Sequence, residues 1–479
     1  MSKQGAEIIE CEKGGEDCRW EGCREKGLSM TQKARFPMTF WSANTVELFE
    51  RAAYYAVASF VVVYLHETFN MAPTKATFLN GTILWGLLYF LPILSGTLAD
   101  KYGFKKSLGI SFSLLVLGYL VMGTVQNFWP WVMRAGDSPY GSLDYTIPIV
   151  VGILLIGIGG SFVKPIISGT VQKTSGTHTV LGFGIFYMTI NVGSMIGRLV
   201  SYTVRVNLGI PAIFSYVATS FAFLGFLAIL FLYKEPQYQQ QVQETRSARP
   251  RTLGQAIVGM FVVLSNLKFV FFLVVIGFFW FIYVQIYNLI PLFLRFVDPD
   301  AAVELYTLVN PMMIVCFQLL ITRLSKEWTA LTSIMFGIGV TVVGMLLNVL
   351  PHVMGLEITQ RVTLLGLGLP IAGICILISI ASMALGEMFA SPRIYQYIGA
   401  IAPKGQEGLY LGYANLPLAI GTIIGAPVGG ILFTQFIDRP FKAGMPIHAP
   451  VMWVIVAAMG VFSLLGIYLY DKLLMKKDS

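Results

Sequence analysis

The chain has 479 residues, of which 56% are hydrophobic and only 12% charged, where an ordinary soluble domain carries about 25% charged residues. Lys and Arg number 33 and Asp and Glu 25, and the resulting formal charge of +8 sits in short loops between apolar runs. These figures exclude soluble enzymes, disordered scaffolds and nucleic-acid-binding proteins, and leave a polytopic membrane protein with the lipid bilayer as its solvent.

Residues 1–38 read as a polar cytoplasmic tail. It lacks the apolar stretch of a signal peptide. Its Cys11, Cys18 and Cys23 have no histidine beside them, and a tetrahedral zinc site needs four ligands. Reduced cysteines and no metal are therefore expected.

Beyond the tail, apolar runs near the ~20 residues that span a hydrocarbon core recur twelve times. They cover 41–65, 78–99, 107–126, 146–170, 180–203, 211–233, 269–294, 303–323, 329–350, 363–390, 408–433 and 450–471. The longest polar stretch between them, Lys234 to Arg251, separates the sixth from the seventh. Residues 39–233 thus form a first six-helix bundle and 269–471 a second. Residues 234–268 are a linker carrying a short amphipathic helix at 253–266, and 472–479 a cytoplasmic tail. Alternate loops hold 23 Lys and Arg on the side of the two termini and 7 on the other, with three inside spans. This asymmetry predicts that both termini are cytoplasmic.

Six ionisable residues fall well inside spans, where each is costly unless paired or hydrated: Glu47, Glu50, Arg51, Lys164, Arg198 and Glu387. Three are acidic and three basic, which suggests a shared aqueous cavity. Glu47, Glu50 and Arg51 stand at helical i, i+3 and i+4 spacing and so share a face. Two carboxylates beside one guanidinium leave one that must find a second cation or hold a proton. Lys164, followed by Pro165 in the fourth span, is the expected second cation.

The loop Gly96-Thr-Leu-Ala-Asp100-Lys101-Tyr-Gly103-Phe-Lys105-Lys106 resembles the G-x-x-x-D-x-x-G-x-[RK]-[RK] signature of the major facilitator superfamily, and the six-plus-six layout is similar to that fold. Four further strings resemble the proton-coupled oligopeptide transporter family. Glu47-Leu-Phe-Glu50-Arg51-Ala52-Ala-Tyr54-Tyr55 is similar to its E-x-x-E-R-F-x-Y-Y motif, with Ala52 replacing Phe. Phe162-Val-Lys164-Pro165, Phe186-Tyr187-Met-Thr-Ile190-Asn191-Val-Gly193 and Gly386-Glu387-Met-Phe-Ala-Ser391-Pro392 are similar to its F-x-K-P, F-Y-x-x-I-N-x-G and G-E-x-x-x-S-P elements.

The resemblance implies an all-α membrane protein with the major facilitator fold, twelve transmembrane helices in two six-helix bundles. It implies proton-coupled symport of di- or tripeptides or peptide-like substrates by alternating access, with no cofactor. Glu47, Glu50 and Arg51 would form the proton-linked cluster, with Lys164 as its salt-bridge partner. Glu387 would receive the substrate amino group, and Tyr54, Tyr55, Tyr89, Asn191 and Asn310 would line the pocket. The chain departs from the family at Val284, where a Glu is usual, and at Ala58, where a second basic residue is usual; the aromatic usual in the eleventh span is not obvious around Tyr413. Arg198 lies outside the family pattern, seven residues after Asn191 and so on its face of the helix. It is expected to take over the missing cation's task at a substrate carboxylate or at the outer gate, the alternative being a side chain that snorkels to the interface.

Two other readings stand beside this one: a facilitator-type transporter or exporter of another amphiphile, and a non-transporting membrane sensor of the same fold. There is no G-x4-G-K-[ST] signature for ATP-driven transport and no catalytic constellation; His66, His178, His352 and His448 all sit at loops or span edges. A bacterial inner membrane and a monomer are expected, with peptide, protons and lipid as partners and no nucleic acid.

Overall fold

The computed structural model describes residues 36–135, 145–236, 254, 264–364, 366–402, 410 and 413–475. The N-terminal cysteines, the expected amphipathic helix and most of the loop before the eleventh span lie outside the described residues.

Twelve spans follow one another. The first, α1, is broken: Met38–Ala58 and Val61–Thr68 meet at a bend of 42°. The others are α2 (Pro73–Gly96), α3 (Phe104–Pro130), α4 (Thr146–Thr174), α5 (Leu181–Leu208), α6 (Ile210–Phe231), α7 (Leu267–Val297), α8 (Val303–Leu324), α9 (Ala330–Val353), α10 (Ile371–Ile401), α11 (Leu416–Lys442) and α12 (Ala449–Lys472). Successive spans alternate in direction, so one face carries the Met38 end of α1 and the opposite face its Thr68 end.

Ten of the twelve expected runs coincide closely with a span. The tenth does not. Its first residues, 363–370, belong to a two-stranded hairpin, β1 (Arg361–Leu364) and β2 (Leu367–Pro370), closed through Gly366 at φ 81°. Pro370 then caps α10, which runs past Arg393 to Ile401. The run was apolar, but a glycine in the left-handed region and a proline at the helix start cut it there. The eleventh span likewise begins late, at Leu416, with Pro417 in its first turn, and reaches Lys442.

Within the first half α3 packs on α4, and α1 on α5 and α6; within the second α9 packs on α10 and α12, and α7 on α11 and α12. The halves meet along two seams, α5 against α8 and α2 against α11. Glycine permits the closest approaches. A Cβ on Gly193 would lie 2.7 Å from the Leu48 carbonyl oxygen and 3.0 Å from Arg51 Cβ, and one on Gly197 would collide with the Ala52 carbonyl. α5 thus lies directly on the stretch of α1 that carries the acidic cluster.

Prolines inside the spans free carbonyls four residues back, because they have no N–H to donate. Side chains of neighbouring helices take these up. Ser95 Oγ donates to Ser161 O, freed by Pro165, at 2.8 Å; Gln318 Nε2 donates to Met388 O, freed by Pro392, at 3.4 Å. Two more such bonds cross between the halves, both from α2. Asn80 Nδ2 donates to Tyr287 O, freed by Pro291, at 3.4 Å, and Thr82 Oγ1 donates to Ile423 O, freed by Pro427, at 2.9 Å. α7 is irregular at that point: a 3-10 turn, Val284–Tyr287, interrupts it before Asn288, which accepts from Asn80 Nδ2 at 3.0 Å.

Candidate functional site

The helical spacing of α1 does what it predicts. Arg51 Nε lies 3.3 Å from Glu47 Oε1 and also bonds Glu50 Oε2. Glu47 is 0% and Glu50 1% exposed, so one guanidinium serves two carboxylates away from solvent. Glu47 Oε2 and Glu50 Oε1 accept no hydrogen bond among the described residues. Breaking such an arrangement by removing its cation would strand a buried charge, at a cost of about 3–5 kcal/mol. The guanidinium is also held over two rings, 5.2 Å from the centre of Tyr54 and 6.0 Å from that of Tyr55.

Lys164 acts on the acidic cluster without touching it. It is half-buried on α4, and its ammonium makes no ion pair within 4.0 Å among the described residues. Arg51, which shares a helix with both carboxylates, has taken both. Its charge still acts at longer range on Glu47, Glu50 and Glu387, the acids of both halves.

The second half presents Glu387 from α10. Asn310 Nδ2 of α8 donates to Glu387 Oε2 at 3.3 Å, and Tyr283 of α7 donates to Asn310 Oδ1 at 3.5 Å. Asn191 is buried on α5 and donates to Tyr187 O at 2.9 Å. Tyr54, Tyr55 and Tyr89 belong to one aromatic cluster that runs through Trp85: ring centres are 5.0 Å apart for Tyr54 and Tyr55, 6.0 Å for Tyr54 and Trp85, and 5.6 Å for Trp85 and Tyr89. Tyr287 of the other half joins it, 4.9 Å from Trp85 and 6.5 Å from Tyr55.

Arg198 does not snorkel. It is 0% exposed and lies in the seam between the halves. Its Nε donates to Thr307 Oγ1 at 3.1 Å, its Nη2 to the Tyr287 hydroxyl at 3.2 Å, and its Nη1 to Ser194 O at 3.3 Å and to Ser194 Oγ. The guanidinium also covers the Tyr55 ring at 4.6 Å. No carboxylate pairs with it among the described residues. Two turns further along α5, Arg205 Nε meets Glu304 Oε1 of α8 at 2.5 Å. At the Thr68 face Arg295 of α7 holds Glu67 through two bonds of 2.8 Å. Ser59–Thr307, Arg198–Tyr287, Arg205–Glu304 and Arg295–Glu67 tie the halves together along the parts of α1 and α5 that lead to the Thr68 face, which is thus held closed.

The two substituted positions differ in their surroundings. Val284 is buried at the start of the 3-10 turn of α7. Ala58 lines a small apolar cavity inside the first half with Leu84, Tyr119 and Phe214. Its neighbour Ser59, not Ala58, meets Thr307, at 2.8 Å. An arginine at 58 would therefore enter an apolar cavity instead of standing in for Arg198. Sequence reasoning missed Tyr283, Tyr287, Thr307, Ser194 and Glu304. Arg205 and Glu304 carried one usable signal, since Arg205 follows Arg198 by seven residues and repeats its face.

Comparison with known proteins agrees with this geometry. "Peptide transporter family 1" of Caenorhabditis elegans is 30% identical over 220 residues, 42% of this chain and 24% of that protein. A "Di-/tripeptide transporter" of Lactococcus lactis subsp. lactis is 26% identical over 220 residues, 43% of this chain and 40% of that one. The chain thus spans well under half the length of these curated relatives. A solved structure described under substrate recognition in proton dependent oligopeptide transporters superposes with a TM-score of 0.65 at 18% identity, over 91% of this chain and 97% of that one. A POT family transporter in complex with 5-aminolevulinic acid gives 0.66 at 16% identity, over 91% and 96%. These structural likenesses show the fold. The sequence pattern of the Major Facilitator Superfamily matches residues 45–388, and with twelve spans arranged in that fold the chain belongs to that superfamily, as a multi-pass membrane protein.

Proposed function

We propose that this protein is a secondary active transporter that couples proton movement to the transport of di- and tripeptides or peptide-like molecules, its two halves (39–233 and 269–471) rocking about a midplane site. The observation that carries this reading is the cluster of Glu47 and Glu50 on the single guanidinium of Arg51, both carboxylates buried. Protonating one carboxylate changes which ion pairs the cluster can make, and that is what a proton-driven switch requires. Lys164 and Glu387, neither in a direct ion pair among the described residues, suit the two charged ends of a zwitterionic peptide. The named activities of the relatives point the same way. With the termini in the cytoplasm, the closed Thr68 face is the outer one, in a bacterial inner membrane, and the protein acts as a monomer.

Uptake of a labelled dipeptide into proteoliposomes, with and without an inward proton gradient, tests this directly. Accumulation above the equilibrium level that collapses with a protonophore is the expected result. Equilibration indifferent to the gradient would instead identify a facilitator, and no uptake of any peptide would overturn the substrate class.

A further inference from the structure

Arg198 is a fully buried cation whose four acceptors are all neutral: the Ser194 hydroxyl and carbonyl on its own helix, and the hydroxyls of Tyr287 and Thr307 on the other half. Such a group is expensive to bury without a counter-charge. Glu304, one turn from Thr307 on α8, is occupied by Arg205. The residues packed round the guanidinium, Tyr55, Ser194, Tyr287 and Thr307, carry no charge to offer.

Tyr287 and Thr307 belong to the second half. When the halves part on the Thr68 face, those two acceptors leave together. Arg198 is then an exposed-edge guanidinium with Nε and Nη2 both unfilled, side by side in the fork that fits a carboxylate. We propose that Arg198 is an anion-binding site that alternates with a latch: with the Thr68 face open it binds a carboxylate of the incoming substrate, and with that face closed the hydroxyls of Tyr287 and Thr307 replace the carboxylate and release it toward Lys164. The ligand class is a small molecule with a free carboxylate. This rests on the transport reading for the identity of the ligand, but not for the latch itself.

The test uses the full chain in proteoliposomes, with Ser59→Cys as a reporter. Ser59 is buried against Thr307 and becomes reactive to a membrane-impermeant maleimide only when the Thr68 face opens. Acetate, a bare carboxylate, should stabilise the open face and raise the labelling rate, whereas acetamide should not. Arg198→Gln should abolish the acetate effect while raising basal labelling. Arg198→Lys, which keeps the charge but not the fork, should retain part of both. Thr307→Ala, which removes an acceptor and leaves the cation, should raise basal labelling and keep the acetate response.

In counterflow, Arg198→Gln should raise the KM for Ala-Ala by about tenfold more than that for Ala-Ala amide, the loss expected for a charge-assisted bond. If labelling in the Arg198 chain ignores acetate, the anion site is refuted, whatever the transport result. If labelling responds but wild type exchanges no Ala-Ala, the transport reading fails and the latch stands. Equal KM changes for acid and amide would refute Arg198 as a substrate site.

Discussion

Arg205 and Glu304 join the two halves across the seam of α5 and α8, guanidinium to carboxylate at 2.5 Å, with Glu304 1% exposed. A buried pair of this kind contributes little over an apolar replacement, but removing one partner strands the other. Glu304→Gln should therefore destabilise the purified protein by a few kcal/mol, roughly 3–5 if no water reaches Arg205. Arg205→Met with Glu304→Leu should regain most of the loss. The check is a double-mutant cycle by denaturation in detergent. Additive single effects would mean that the pair carries no coupling.

Glu50 shares Arg51 with Glu47 and is the candidate that gains and loses the proton. Glu50→Gln should abolish uphill uptake of dipeptide and leave counterflow exchange measurable. Accumulation equal to wild type under a proton gradient would remove Glu50 from the coupling mechanism.

Glu387 accepts from Asn310 and makes no ion pair within 4.0 Å among the described residues, Lys164 acting on it only from farther off. A substrate ammonium would supply a direct partner. An N-acetylated dipeptide should compete at least about tenfold less well than the free form, the loss expected for one charge-assisted bond. Equal competition would place the amino group elsewhere.

Gly197 faces the Ala52 carbonyl so closely that no side chain fits. Gly197→Val should push α5 off α1 and cost about 1–3 kcal/mol or more, read as lower thermal stability and yield. Gly184, whose added Cβ meets nothing within 4 Å, is the control, and Gly184→Ala should leave both unchanged.

The spans were legible because bilayer thickness fixes the length of an apolar run, whatever its sequence. The hairpin at Arg361–Pro370 was not, because Val362, Leu364, Leu367 and Leu369 have the composition of the helix that follows. Only Gly366 and Pro370 mark the difference. In the site, Glu47, Glu50, Arg51, Lys164, Arg198 and Glu387 were visible because a charge in a span is rare. Tyr287, Thr307 and Ser194 were not, since hydroxyls are ordinary in membrane helices. Thr307 and Tyr287 reach Arg198 across 109 and 89 residues of sequence, and only the packing of the halves brings them there. Arg51 reaches both carboxylates on its own helix, so Lys164 acts on the cluster from farther off and not through a direct pair.

The carbonyls of Tyr287 and Ile423, freed by Pro291 and Pro427, are met by Asn80 and Thr82 from the opposite half. When α2 withdraws, neither carbonyl has an amide to return to, because proline has none. Lipid chains offer no donor, so only water can replace the side chains. Opening the Thr68 face is thus a wetting event as much as a rotation, and its equilibrium depends on the chemical potential of water. A polymer too large to enter the seam would draw water out and hold the face shut without touching the protein, and osmotic stress on the outer solution becomes an inhibitor of this conformational step.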